Sequence, residues 1–121
     1  MGFELFVKPG RIYTPSVSIW SRGQLSFNQG AAQKYNLGDY KYAQLFYDRE
    51  TRRIGIKFTN EETEAGAIAM TKGRTGFTLS IKAFLDHYDI PHEKTRKYTV
   101  TYDESDNLYV VDLGKPLGND D

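Results

Sequence analysis

The order of elements in this chain is written twice, and that repetition limits the folds open to it. Ser16-Val17-Ser18-Ile19-Trp20 has strand-forming residues with partial alternation, Ser21-Arg22-Gly23 turns the chain, and Gln24-Leu25-Ser26-Phe27 returns. Asn28 is suited to cap a helix, its side-chain oxygen facing a free backbone N–H. Ala31, Ala32 and Tyr35 then fit one helical face, and Gly38 is placed to end the helix in the left-handed conformation. Tyr42 to Tyr47, a polar turn from Asp48 to Arg52, and Ile54 to Phe58 read as a hairpin.

The second half repeats that order. Ala67 to Met70 reads as a strand, residues 71 to 76 as a turn and Phe77-Thr78-Leu79 as the return, with Ser80 as a second candidate cap. Ala83 to Tyr88 makes a short helix ended by Pro91, and Lys97 to Tyr102 with Leu108 to Val111 a second hairpin. Leu25-Ser26-Phe27 falls on Leu79-Ser80-Ile81 at an offset of 54, and Tyr35-Asn36-Leu37 on Tyr88-Asp89-Ile90 at 53. Tyr47-Asp48 falls on Tyr102-Asp103 at 55. Few of these residues are identical, so the shared order carries the duplication; the alternative is an ordinary α+β domain with similar hairpins.

Each half is too small to bury a core alone, whereas two together can share one. The expected fold is therefore mainly β with two short helices. Two β-β-α-β-β halves, residues 11–58 and 67–113, form one pseudo-two-fold, barrel-like domain spanning residues 1–121. The polar, acidic stretch from Thr59 to Gly66 joins them, and residues 114–121 read as a flexible acidic tail.

Composition excludes several classes of function. The chain has no cysteine and only 2 histidines, which removes disulfides, thiol nucleophiles and thiolate metal sites. Asp86, His87, Asp89 and His92 cluster near the second helix, but their spacing sets them on different faces, so no metal and no other cofactor is expected. Asp48 with Glu50 and Asp103 with Glu104 sit in hairpin turns, where Asp serves turn chemistry better than acid–base work. No phosphate loop or nucleophile motif is present, so the chain does not read as an enzyme. The start Met1-Gly2-Phe3-Glu4-Leu5-Phe6 lacks a basic, then apolar leader, and no stretch has the roughly 20 apolar residues of a membrane span. A cytoplasmic protein with no membrane contact is expected.

Several of these segments resemble a known family. Ser21-Arg22-Gly23-Gln24-Leu25-Ser26-Phe27, the short helix ending at Leu37-Gly38, and the hairpin from Gln44-Leu45-Phe46-Tyr47-Asp48 to Ile54-Gly55-Ile56-Lys57 are similar to the SpoVT/AbrB-like swapped-hairpin module. That family includes bacterial transition-state regulators and MazE-type antitoxins, which bind DNA as intertwined dimers. The resemblance covers residues 16 to 58 best and residues 67 to 113 more loosely. It departs where the family usually has Pro at the helix start (here Asn28) and often Arg four residues on (here Ala32).

The resemblance implies double-stranded DNA as partner, met by the strand turns and helix starts. Those positions hold Arg22, Gln24, Asn28 and Lys34 in the first half, and Lys72, Arg74 and Lys82 in the second. Arg and Lys neutralise phosphates, while Gln24 and Asn28 carry the paired donor and acceptor that reads a base edge. Basic residues at hairpin tips are as often plain solvated surface. The numerous tyrosines suit a packed core edge better than base stacking. They also suit the rival function, an antitoxin-like or adaptor module that contacts a protein partner without touching DNA. The chain is expected to act as a monomeric pseudo-dimer or as a homodimer.

The charge balance bears on that choice. The 16 basic and 16 acidic residues cancel, but residues 1–57 hold 9 basic against 4 acidic, net +5, and the remainder is net −5. Neutrality excludes a polycation that coats nucleic acid, not a molecule with one DNA-facing side.

Overall fold

The computed structural model describes residues 2–3, 14–73 and 76–117. Arg74, residues 11–13 of the first repeat and residues 118–121 of the tail lie outside the described residues. The elements in chain order are β1 (Ser16–Ile19), β2 (Gln24–Phe27), α1 (Gln29–Lys34), β3 (Tyr42–Asp48), β4 (Arg53–Thr59), β5 (Ile68–Ala69), β6 (Thr71–Lys72), β7 (Phe77–Ser80), α2 (Lys82–His87), β8 (Arg96–Asp103) and β9 (Leu108–Pro116). A 3₁₀ turn at Leu37–Asp39 follows α1.

All strand pairs are antiparallel, and the sheet runs β5-β3-β4-β9-β8-β1-β2-β7-β6. Its two end strands are separated in the chain only by Met70, whose N–H donates to the Lys41 carbonyl at 2.9 Å. One short segment therefore borders both edges, and the sheet curls into a nearly closed, barrel-like wall. A wall that meets itself leaves little unpaired edge for another chain to template on.

The period-2 alternation decides what fills it. Val17 and Ile19 of β1, Leu25 and Phe27 of β2, Ile54, Ile56 and Phe58 of β4, and Val100 of β8 point inward and are buried. Ala31, Leu37, Leu85 and Ile90 add to the same cluster from α1, α2 and the segments that end them. A single apolar core thus draws on both halves of the chain. Tyr35, Tyr40, Tyr47, Tyr88 and Tyr109 pack against it. Their rings meet one another or Phe58 and Phe84 at centroid distances of 4.6 to 6.1 Å.

Asn28 caps α1 as its sequence position indicates: its Oδ1 accepts from Ala31 N at 2.8 Å. The same oxygen accepts from Ser16 N, and Nδ2 donates to the Thr14 carbonyl. Removing the amide with Asn28→Ala is expected to cost about 1–2 kcal/mol, read as a lower urea midpoint with an unchanged slope.

Four local expectations are corrected. The left-handed residue after α1 is Asn36 (φ 54), not Gly38; a short polar side chain tolerates that conformation. Ser80 caps nothing, because pairing with Gln24 holds it in β7, and the residue before α2 is Ile81, which has no capping side chain. Residues 71 and 72 belong to β6 and not to the turn, and residues 114 to 116 continue β9, where Pro116 is registered against Tyr98.

The two halves share backbone detail that composition does not reveal. Asp89 (φ 54) is left-handed at the position matching Asn36, and Asn107 (φ 56) at the position matching Arg52 (φ 56). Asp89 lets Ile90 N bond to the Leu85 carbonyl at 2.8 Å and its own N–H reach Asp86, a Schellman ending for α2. Asp48 Oδ1 accepts the amides of Glu50 and Thr51, and Asp103 Oδ1 those of Ser105 and Asp106. These bonds, led by Thr51, hold the Asp48 carboxyl below its ordinary value.

Candidate nucleic-acid interface

β2 and β7 are neighbours, paired through Gln24↔Ser80, Leu25↔Leu79, Ser26↔Thr78 and Phe27↔Phe77. Leu25 and Leu79 face the core, so Gln24, Ser26, Thr78 and Ser80 face out. Ser26 and Thr78 hydroxyls lie 3.2 Å apart, and Trp20 Nε1 donates to Ser26 Oγ at 2.9 Å. The outer face of this pair is thus a strip of small polar side chains with one half-exposed indole against it.

A glycine turn closes each end of the strip. At one end Gly23 (φ +94) sits against the first residue of α2: a Cβ there would lie 2.6 Å from Lys82 Cβ. The Ile81 amide donates to the Gly23 carbonyl at 2.8 Å. At the other end a Cβ on Gly76 would run into the Phe27 carbonyl, just before the Asn28 cap. Each turn is therefore seated on the start of the helix belonging to the other half of the chain.

The first end gathers three of the expected residues, Arg22, Gln24 and Lys82. Arg22 Nε donates to Gln24 Oε1 at 3.1 Å, and the Gly23 contact brings Lys82 beside them. Lys82 Nζ is 2.7 Å from Asp86 Oδ2 in an exposed ion pair, so part of its charge is already answered. At the second end Lys72 is exposed on β6 beside Phe77. Asn28 lies next to Gly76, with its side-chain oxygen and one amide N–H engaged within the fold. Lys34 is at the far end of α1, its ammonium 5.8 Å from the Tyr35 ring centre, and joins neither cluster.

His92 was singled out in the sequence only as a metal candidate, and the structure gives it another task. Its Nδ1 bonds to the Ser21 carbonyl at 2.9 Å and its Nε2 lies 3.3 Å from Asp86 Oδ1. Asp86 and His92 therefore meet, contrary to the separate faces expected, because the chain turns back at Asp89 and Pro91. His87 instead stands edge-on to Tyr88 at 4.7 Å. Among the described residues no group of three or more His, Cys, Asp or Glu side chains is arranged to hold a metal. Nothing local in the sequence links His92 to a turn 71 residues earlier.

The Ser21 carbonyl, then the Asp86 carboxylate, raise the His92 pKa, while Lys82 and then His92 lower that of Asp86. A raised histidine pKa stabilises the fold while the imidazole is charged, and that contribution fades as pH rises from about 6.5 through the raised value. The Asp86 contribution is present above its ordinary value of about 3.9 and fades as pH falls below it. Thermal midpoints are thus expected to decline as pH rises above about 6.5 in the native chain. In His92→Gln that part of the decline should be absent.

Comparison with family models, curated proteins and solved structures finds no match to this chain. Among the described residues, no helix is long and apolar enough to cross a membrane.

Proposed function

We propose that this chain is a small DNA-binding regulator whose two β-β-α-β-β halves are of the swapped-hairpin type. The observation that carries this reading is the β2–β7 strip, polar along its length and closed at each end by a glycine turn bearing basic residues. Arg22, Gln24 and Lys82 at one end and Lys72 at the other supply phosphate contacts. Gln24, Ser26, Thr78 and Ser80 supply base-edge donors and acceptors. Arg74 joins the second turn by sequence.

The exchange of strands supports the two-half reading: β1 pairs with β8 of the other half, and β5 with β3. Symmetric registers at β2–β7 and β4–β9 support it too, since Gly55↔Val110 and Ile56↔Tyr109 interchange at the offset of 54. The strip is three residue steps long, about 10 Å. That length fits a major groove about 12 Å wide, not two half-sites about 34 Å apart. One chain therefore reads one groove, and a longer operator needs a second copy.

A contact surface for protein is the second reading, and one observation favours it. Phe46 of β3 is 45% exposed and, with the half-buried Val110 of β9, flanks Gly55 of β4, beside which the Leu108 side chain packs. Selection of duplexes from a random pool, beside a pull-down from lysate with and without nuclease, separates the two. Enrichment of a short common sequence supports the DNA reading. A stoichiometric protein partner retained after nuclease, with no duplex enriched, supports the other.

A further inference from the structure

Away from the polar strip's own side chains, the exposed Arg52 and Arg96 and the nearly buried Tyr98 line a cavity of about 170 Å³. The rest of its lining is apolar, Ile90, Pro91 and Leu113 among it, and it includes no acidic residue. Arg52 comes from the β3–β4 turn, where its carbonyl accepts the Leu113 amide at 3.0 Å and fixes the backbone. Arg96 and Tyr98 both come from β8, two positions apart and so on the same side of the strand. Among the described residues neither arginine has a carboxylate within ion-pair distance; the three ion pairs involve Arg53, Lys82 and His92. Tyr98 is only 6% exposed, yet its hydroxyl has no hydrogen-bond partner among the described residues.

The nearly buried Tyr98 hydroxyl, without a partner among the described residues and sharing a cavity with two exposed arginines, needs explaining, because buried polar groups are ordinarily satisfied. A protein keeps planar donor forks together in this way where it binds carboxylate or phosphate oxygens. We propose that this cavity is an oxyanion site, taking a single phosphate or carboxylate group between Arg52 and Arg96 with the Tyr98 hydroxyl as a third donor. Its volume is well below the roughly 300–1,000 Å³ of sites that enclose whole ligands. Only the anionic group enters, and the remainder of the ligand stays outside past Pro91. The electrostatic setting agrees: burial raises the Tyr98 pKa while Arg96 and Arg52 oppose it, so both cations act at the phenol. The site does not depend on the DNA reading.

The test is titration of the full chain with inorganic phosphate and, separately, with acetate at constant ionic strength, followed by amide and side-chain NMR shifts. Saturable shifts centred on residues 52, 96 and 98 are expected for at least one anion, with chloride inert. The tighter of the two identifies the chemical source. Arg96→Gln and Arg52→Gln should each weaken binding by roughly tenfold or more, with shift dispersion showing that the fold persists. Tyr98→Phe should weaken binding by a smaller factor while leaving the thermal midpoint level or higher. Weak, unsaturable shifts with both anions would overturn the proposal, as would equal affinity in folded Arg96→Gln. A marked fall in the Tyr98→Phe midpoint would also count against it, since the hydroxyl would then be bonded within the protein.

Discussion

Leu25→Ala and Leu79→Ala are each expected to lower unfolding free energy by about 3–4 kcal/mol. Both side chains are fully buried, and they are directly paired between β2 and β7 at the seam of the two halves. Each truncation removes apolar contact and leaves a cavity in a wall fixed by strands on both sides, so little collapse can relieve it. Because the two residues touch the same space, the double variant should not lose the sum of the two losses. Denaturant unfolding of the four proteins gives the coupling, and additive losses would mean that the halves meet more loosely than the pairing indicates.

Gly23→Ala is expected to cost on the order of 3 kcal/mol, although it adds one methyl group. The residue has φ +94, a conformation that L side chains rarely adopt, and the new Cβ would lie 2.6 Å from Lys82 Cβ and 3.0 Å from its Cα. Backbone at the start of α2 cannot move aside without breaking the Ile81-to-Gly23 hydrogen bond. Gly55→Ala makes the contrast. Its nearest obstacle is Leu108 Cδ1 at 2.8 Å, the far end of a flexible side chain, and a loss of about 1 kcal/mol is expected. Comparable losses at the two sites, read from urea midpoints, would contradict the seating of the turn on α2.

Local chemistry made much of this fold legible. Asn28 announces a cap, and Asp48 and Asp103 announce turns, because each acts on amides within three residues of itself. The hairpins follow from period-2 alternation around those turns. Of the residues that the sequence singles out, Arg22, Gln24 and Lys82 converge at the first glycine turn. Long-range geometry was not legible. Ser80 looks like a cap until its pairing with Gln24 is known, and Gly38 looks like the helix stop until Asn36 takes that role. The hold of His92 on Ser21, and the cavity joining Arg52 to Arg96, follow from the pairing of β1 with β8 and of β4 with β9, and leave no mark in spacing.

The most direct measurement is the salt dependence of duplex DNA binding by the native chain and by Arg22→Ala/Lys82→Ala. In the native chain, log K is expected to fall linearly with log salt at about 0.9 per neutralised phosphate. Removing these two cations should reduce the slope by up to about 2 while the variant remains folded. A native chain that binds no duplex at low salt, or a variant whose slope and affinity match the native ones, would contradict the account.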